Sequence, residues 1–339
     1  MAVTDSVGIV AASSTPPELL ADLALLAEDL GFGELWIPED YWCLGSIASL
    51  TRMLSVTERI RIGTGVMSVL VRHPSVVAME FGALERMFPG RVMAGLGLGV
   101  PEIVSVMGYR AASPIRTIRE SVDILRTLLS GAEYTAEGTA FQARGIKLHH
   151  PPATVPPIYT GVLGPKMVQL SGEIADGTVV SAMASPAYLR WLRQHIATGQ
   201  ARRPGGGPPH RVPCFAMYCV DSDAAAARAQ ARPLVALYLS VLSHSPLVTA
   251  NPFAAEVAEL VARGGDRAAA LLEKEMPDEW LDQLTVTGDP ATCARRIDDL
   301  LEAGADSVVL MPLRDQGLED TLRMTAESVL PLVGAPVTA

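Results

Sequence analysis

The stretch at residues 156–181, PPIYTGVLGPKMVQLSGEIADGTVVS, contains the pattern from which the fold of the chain is predicted. It reads as a short apolar strand (157–160), a glycine-bounded turn (161–164), a helix from Pro165 and a second strand (177–183). Glycines let the backbone come close to a ligand, and the first N–H groups of a helix point toward it. The turn is therefore typical of an anion site, although an ordinary strand-to-helix connection has the same pattern.

Lys166 in the first turn of that helix bears on the choice between these two interpretations. A cation at a helix N-terminus is unfavourable with respect to the helix dipole, unless a phosphate lies beside it. Lysine is rare in the chain, which contains only Lys147, Lys166 and Lys274 among its basic residues, the others being arginines. From the residues alone, a phosphate ligand and a surface lysine remain equally supported.

Short apolar runs of the same kind recur along the chain and alternate with helical patterns. With the run at 157–160, they lie at 7–12, 34–38, 60–67, 92–97, 177–183, 212–220 and 307–312. Such alternation indicates parallel strands joined by helical crossovers. Eight units favour a (β/α)8 TIM barrel over an open sheet, because the first βα turn (12–15) lacks the glycines of a dinucleotide fingerprint.

The fold class predicted is thus α/β, with one domain over residues 1–339. A β-hairpin insertion is predicted at 131–150 and a helical insertion, near the pocket, at 222–285. In a barrel the active site lies at the carboxyl ends of the strands. This rule brings Glu39–Asp40, residues 65–68, Leu98–Gly99, residues 160–161 and Ser181 to one mouth.

Composition argues against several classes of partner. The net charge of −10, without a cluster of basic residues, disfavours nucleic acid. No apolar run approaches the roughly 20 residues of a membrane span, and no secretory signal is visible, so we expect a cytoplasmic protein with no membrane partner. The four cysteines and six histidines lack metal-ligand spacing, and no metal site is predicted.

Several motifs together carry a resemblance to a known family. They are LGF at 30–32 with LWI at 35–37, ERIRIGTGV at 58–66, RHP at 72–74, FPGRV at 88–92, GLG at 95–97, the turn GVLGPKM at 161–167, EIADG at 173–177, and GDP at 288–290 with AGADSVV at 303–309. In this order and spacing, the chain resembles the luciferase-like flavin and deazaflavin oxidoreductases. It is most similar to their coenzyme F420-dependent branch, which includes methylenetetrahydromethanopterin reductase.

The resemblance implies a barrel with a cofactor across the strand ends, a cis peptide bond at Gly65–Val66, and a homodimer. The cofactor implied is coenzyme F420, with FMN as the alternative, and its phosphate would lie at Lys166. The cofactor-binding residues implied are Gly65, Val66, Met67, Ser68, Leu98, Gly99, Gly161, Val162, Leu163, Gly164, Pro165, Lys166 and Met167.

The chain departs from the family pattern after its second strand. Relatives of the F420-dependent branch have an Asp-His pair there, where this chain has Glu39-Asp40 followed by Tyr41. The predicted catalytic residues are therefore Glu39 and Asp40, since a carboxyl group desolvated beside a flat cofactor can act as an acid. Tyr41 and solvent are other proton sources, and both carboxylates could instead only accept hydrogen bonds.

The function predicted is that of an F420-dependent oxidoreductase. It would transfer hydride from the reduced deazaflavin to a C=C or C=N group of a small or secondary metabolite. Met67, Met107, Met183, Met217 and Trp42 predict an apolar wall for a hydrophobic or extended substrate. The alternatives are an FMN-dependent monooxygenase of the same superfamily and a flavin-binding protein without catalysis.

Overall fold

A parallel sheet that closes into a barrel forms the centre of the molecule. The computed structural model describes residues 3–205, 207–313 and 317–335. Its strands are β1 (Val7–Val10), β2 (Glu34–Ile37), β3 (Arg61–Thr64), β4 (Met67–Ser68), β5 (Val92–Gly97), β6 (Tyr134–Glu137), β7 (Gln142–Ile146), β8 (Ile158–Gly161), β9 (Gly177–Val179), β10 (Pro213–Val220), β11 (Val286–Gly288) and β12 (Ser307–Pro312).

Helices connect these strands and pack around the sheet. They are α1 (Leu20–Asp29), α2 (Ser46–Leu54), α3 (Pro74–Met87), α4 (Pro101–Val106), α5 (Pro114–Leu129), α6 (Pro165–Ile174), α7 (Pro186–Gln200), α8 (Ala224–Leu242), α9 (Pro246–Thr249), α10 (Ala254–Gly264), α11 (Ala268–Glu275), α12 (Asp278–Leu284), α13 (Pro290–Ala303) and α14 (Leu318–Met324). Several begin on proline, whose fixed φ suits the first helical position.

The barrel closes through a continuous series of parallel strand pairs. Hydrogen bonding runs in the order β10, β12, β1, β2, β3, β5, β8 and β9, and β4 continues the wall beside β5. Isolated bridges from Gly177 to Arg211 and from Val180 to Cys214 join β9 to the segment of β10. The predicted α/β barrel is confirmed.

Side chains fill the inside of the barrel, as the near-continuous apolar strands require. Trp36 makes edge-to-face contacts with Tyr159 and with Phe215, at centroid distances of 5.3 and 5.9 Å. The outer face of the sheet packs on the helices. In α5, for example, the buried residues Ile118, Val122, Leu125 and Leu129 follow helical spacing.

The loop before β3 is fixed at the amino-terminal side of the barrel by one carboxylate. Glu28 of α1 accepts hydrogen bonds from the backbone N–H groups of Glu58, Arg59 and Ile60, at N–O distances of 2.6 to 3.1 Å. Burial alone would raise the pKa of Glu28, but these three backbone donors favour the ionised form and lower it. The carboxylate thus accepts hydrogen bonds from three backbone N–H groups that would otherwise have no partner.

Two insertions extend the barrel. Strands β6 and β7 pair as an antiparallel hairpin within residues 131–150, as predicted. Helices α8 to α12 lie between β10 and β11 and form a separate apolar cluster, in which Phe253 stacks on Trp280 at a centroid distance of 4.9 Å. The single-domain organisation itself stays a prediction.

The structure differs from the sequence-based prediction at several elements. The strand predicted at 60–67 is interrupted between Thr64 and Met67, and β11 was not predicted because three residues make a weak pattern. The strand predicted at 177–183 ends at Val179, shortly before Met183 with φ +74°. No helix in the described part of the chain is long and apolar enough to cross a membrane.

Candidate functional site

The interruption between β3 and β4 is a bulge centred on a cis peptide bond. The Gly65–Val66 bond is cis, as the resemblance predicted. A Cβ atom at Gly97 would lie 2.6 Å from Cγ2 of Val66, and one at Gly161 would lie 3.0 Å from both Val66 methyl groups. These glycines leave room for the Val66 side chain, and the bulge therefore lies against the ends of β5 and β8.

The bulge is joined to the next loop by Ser68. Its hydroxyl donates a hydrogen bond of 2.9 Å to the carbonyl of Leu98. Gly99 has φ +77°, and a Cβ there would lie 3.2 Å from Cβ of Ser68. The structure thus brings Val66, Ser68, Leu98 and Gly99 together at the mouth.

Two residues predicted to bind the cofactor point their side chains elsewhere. Met67 is fully buried and Val162 is 7% exposed, and both pack in the main core between sheet and helices. Their contact with a ligand at the mouth would be made by backbone atoms. Met183 and Met217 are also fully buried, so the predicted apolar wall is wrong for these side chains, whereas Trp42 is 70% exposed.

The turn after β8 presents an open helix N-terminus. β8 ends at Gly161 and α6 begins at Pro165, with Gly164 at φ +55° between them. No atom lies within 4 Å of a Cβ placed at Gly164. The Lys166 side chain is exposed, and none of the ion pairs found in residues 3–205, 207–313 and 317–335 involves it. The first N–H groups of α6, the open turn at Gly164 and the ammonium group of Lys166 are together suited to bind a phosphate.

Glu39 lies at the end of β2 in a buried polar network. Its Oε2 atom is 2.8 Å from Nη1 of Arg72, and it accepts a hydrogen bond of 3.2 Å from the Tyr41 hydroxyl. Its Oε1 atom accepts a hydrogen bond of 3.0 Å from the Ser46 hydroxyl. The Glu39 side chain is 2% exposed. Its oxygens are therefore occupied by partners that connect the loop after β2 with Arg72, which follows β4.

Tyr41 extends this network toward the bulge. Its hydroxyl lies within hydrogen-bonding reach of Ser68, and burial, followed by the charge of Glu39, raises the pKa of Tyr41 to about 12. Burial would lower the pKa of Arg72, but the hydrogen bond to Glu39 and the negative charges of Glu39 and Glu80 together outweigh burial and raise that pKa. Burial raises the pKa of Glu80, which lies near Arg72. The tyrosine hence stays a proton donor at neutral pH.

Asp40 has a different environment. It is exposed, and it accepts a hydrogen bond from the hydroxyl of Ser13, which follows β1. The peptide bond between Tyr41 and Trp42 is cis. Of the two carboxylates predicted to be catalytic, Asp40 is the one open to the mouth.

Comparison with known proteins identifies the family of the chain. The sequence profile of the family described as luciferase-like monooxygenase matches residues 2–307. The chain belongs to this family. The predicted resemblance is confirmed, and so is the prediction of an oxidoreductase.

Relatives of this luciferase-like chain include F420-dependent enzymes. It is 31% identical to 5,10-methylenetetrahydromethanopterin reductase of Methanolobus tindarius over 307 residues, which cover 89% of the chain and 92% of the relative. The structure of coenzyme F420-dependent tetrahydromethanopterin reductase from Methanopyrus kandleri superposes with a TM-score of 0.82, at 22% identity and with 96% and 98% coverage of the two chains.

An FMN protein has the same fold as this luciferase-like chain. The oxygenating constituent of 3,6-diketocamphane monooxygenase from Pseudomonas putida, solved in complex with FMN, superposes with a TM-score of 0.71. It is 17% identical, and the match covers 98% of this chain and all of the monooxygenase chain. At this identity the likeness concerns the fold alone. The roles predicted for individual site residues stay predictions.

Sequence reasoning missed two side chains that interact with the predicted carboxylates. Arg72 lies in the RHP motif at 72–74, but nothing in that motif indicates its pairing with Glu39. Tyr238 of α8 lies close enough to Asp40 for the carboxylate charge to raise its pKa, after burial as the larger cause. No signal in the alanine-rich helix that contains it could have indicated this contact.

Proposed function

We propose that the chain is a coenzyme F420-dependent oxidoreductase acting on a C=C or C=N group of a small molecule. When bound, the reduced deazaflavin supplies a hydride. The observation that supports this proposal is the open start of α6 with Lys166 on the same rim as the cis bulge. This pair of features offers a phosphate site and a support for a flat ring.

Each part of the site has one task in this proposal. The turn at 161–164, the N–H groups of α6 and Lys166 bind the phosphate. Val66 supports the ring, and the backbone at 98–99 borders it. Glu39, held by Arg72, Tyr41 and Ser46, positions the loop after β2, while Asp40 is available to orient the substrate or to move a proton.

Titration with the two cofactors tests the proposal directly. The fluorescence of F420 is followed as protein is added, and FMN is titrated in parallel. We expect saturable binding of F420 and weaker binding of FMN. Tight binding of FMN with no response to F420 would instead favour the monooxygenase, whose support is the fold shared with the FMN protein.

A flavin-binding protein without catalysis is the remaining alternative. Such a protein differs from the proposed enzyme in one outcome, because it would bind reduced F420 but would not oxidise it. Reduced F420 is mixed with the protein and, in turn, with each of a panel of unsaturated acceptors. The change in absorbance as the cofactor is oxidised distinguishes the two. Turnover of any acceptor rules out the non-catalytic function.

A homodimer is part of the proposal, and the cytoplasm remains the predicted compartment. Val76, Met79 and Met87 are 41, 57 and 55% exposed and follow helical spacing on α3. A stripe of this kind is typical of an interaction surface. We expect sedimentation of the wild-type protein as a dimer and a shift toward monomer in Met79→Asp.

A further inference from the structure

A cleft of about 440 Å³ lies at the end of β5, where Leu98 and Gly99 form part of its lining. The rest of the lining comes from Leu70, from α4 and from the segment that leads to α5. Small-molecule sites typically have volumes of about 300–1,000 Å³. The cleft therefore has room for a part of a ligand that extends beyond a flat ring at the mouth.

Gly99 lies between this cleft and the cis bulge. A Cβ atom at Gly99 would lie 2.9 Å from Cγ1 of Val104, which lines the cleft, and 3.2 Å from Cβ of Ser68, at the end of the bulge. Gly99 also has φ +77°, a conformation that residues with a side chain rarely adopt. The cleft thus adjoins the place proposed for the cofactor ring.

A glycine turn at the end of α4 shapes the rim of the cleft. Gly108 has φ +85°, and its N–H group donates a hydrogen bond of 3.0 Å to the carbonyl of Ser105. The N–H group of Tyr109 donates one of 3.1 Å to the carbonyl of Val104. These two bonds form a Schellman motif, which ends a helix and redirects the chain. They keep Tyr109 and the following Arg110 in the lining of the cleft.

The lining combines an apolar wall with one cation. Leu70, Leu98 and Val104 contribute apolar surface, and Tyr109 adds an aromatic side chain that is 44% exposed. Arg110 is exposed, and it takes part in none of the ion pairs within the described part of the chain. A guanidinium group presents its donors in a planar fork that matches the two oxygens of a carboxylate.

Glu102 is the other charged residue in the lining. It is exposed and lies in the first turn of α4, where the helix dipole favours its negative charge. The ion pairs of the described residues include none between Glu102 and Arg110. Glu102 repels a ligand carboxylate and Arg110 attracts it, so the two residues together orient an anionic ligand in the cleft.

We propose that this cleft is a specificity subsite, in which the apolar wall binds an apolar arm of a ligand and Arg110 binds a carboxylate at the end of that arm. The inference rests on the proposed function and deepens it. The carboxylate belongs either to the acceptor substrate or to the glutamate residues at the end of F420. Both sources present the same chemistry to Arg110.

The first test compares 4-phenylbutanoate with 4-phenylbutanamide, which have the same apolar arm and differ in charge. Calorimetry gives the dissociation constants for wild type, Arg110→Met and the control Arg52→Met. Arg52 of α2 is also exposed, and the ion pairs of the described residues do not include it.

We expect wild type and Arg52→Met to bind the carboxylate about 5- to 20-fold more tightly than the amide, and Arg110→Met to bind the two probes equally. Equal binding of the probes by wild type would overturn the proposal. So would a preference for the carboxylate that Arg110→Met retains in full. Thermal unfolding verifies that both variants keep the fold.

Glu102→Gln should have the opposite effect, because it removes a repulsive charge. We expect this variant to bind 4-phenylbutanoate about two- to fivefold more tightly than wild type does, and to bind the amide with unchanged affinity. An unchanged or weaker affinity for the carboxylate would overturn the orientation proposed for the ligand.

Titration with F420 identifies the source of the carboxylate. F420 and a form from which the glutamates have been removed are compared in wild type and Arg110→Met. If the glutamates occupy the cleft, Arg110→Met should bind F420 about 5- to 20-fold more weakly and the shortened form normally. If the substrate occupies it, both forms should bind as in wild type.

Equal weakening of both forms in Arg110→Met would place Arg110 at the ring or the phosphate and would overturn the proposal. Failure of the wild-type protein to bind either form would refute the proposed function instead. The comparison of 4-phenylbutanoate with its amide does not require the cofactor, so it tests the cleft in either case.

Discussion

The two sides of the barrel mouth are built from different parts of the polypeptide. On the side of β3, β4, β5 and β8, backbone geometry dominates, with a cis bond at Gly65–Val66 and glycines at 97, 161 and 164. On the side of β1 and β2, the features are side chains, namely Ser13 and Asp40, which are joined by a hydrogen bond. A network centred on Glu39 lies between them.

This difference has consequences for substitution. A surface made by backbone depends on the absence of Cβ atoms, so even a methyl group changes it. A surface made by side chains keeps its shape when one hydroxyl is removed, and loses only that group's chemistry. The side built from backbone therefore suits a cofactor that does not change. On the other side, the side chains can change with the substrate.

The largest expected effect concerns the network between the two sides. Arg72→Met removes the cation beside Glu39, whose side chain is 2% exposed. Stranding a buried carboxylate costs about 3–5 kcal/mol, and partial exposure of Arg72 reduces this to about 2–4 kcal/mol. Denaturant unfolding measures the loss.

Arg144→Met is the control for that substitution. Arg144 pairs with Glu137 on the hairpin, where both side chains are at least 70% exposed. An exposed pair contributes about 0–1 kcal/mol. Equal losses in the two variants would show that the Glu39 network does not depend on burial.

Gly97→Ala should damage the backbone-built side. The new Cβ would lie 2.6 Å from Cγ2 of Val66, and overpacking of this kind costs about 1–3 kcal/mol. We expect weaker F420 binding as the bulge is displaced. Val66→Ala removes the opposing methyl groups, so the double variant should recover part of the stability, and no recovery would contradict the clash.

Lys166→Ala should weaken F420 binding without affecting unfolding. Loss of a charge-assisted contact with a phosphate costs about 1–3 kcal/mol, which corresponds to roughly a 5- to 150-fold rise in the dissociation constant. Lys147→Ala, an exposed lysine of the hairpin, is the matched control. Identical fluorescence titrations for both variants would mean that α6 does not hold the cofactor.

Glu28→Gln should have the smallest effect and should leave F420 binding unchanged, because Glu28 lies away from the mouth. The pKa of Glu28 is lowered in the folded protein, so its contribution of about 1–2 kcal/mol is present above its ordinary value of 4.5 and is lost as pH falls through the lowered value. The difference in unfolding free energy between wild type and variant should therefore shrink toward acid pH. A constant difference would argue against ionised Glu28 as the cause.

The backbone-built side was the more predictable from sequence. Glycine at 161 and 164, proline at 165 and apolar runs with sharp ends are local signals, and they located the turn, α6 and the strand ends. Helices α3 and α5 also begin at a proline, Pro74 and Pro114, which is a local signal of the same kind.

The side-chain contacts could not be predicted because they join distant parts of the chain. The pairing of Glu39 with Arg72 and the hydrogen bond from Ser13 to Asp40 depend on how the loops at the strand ends fold over the barrel. Strand β11 was not predicted for a related reason, because its three residues form a strand only by pairing with β10. Periodicity within one element contains no information about such partners.

The two ends of the helical insertion that contains Tyr238 lie side by side in the sheet. Tyr218, Cys219 and Val220 pair in register with residues 286–288, and the N–H of Asp221 donates to the carbonyl of Gly288 at 3.0 Å. Between these paired ends, α8 to α12 pack on an apolar cluster that includes their own Phe253 and Trp280. The segment therefore has the form of a cassette that can be exchanged between relatives without breaking the pairing of β10 with β11.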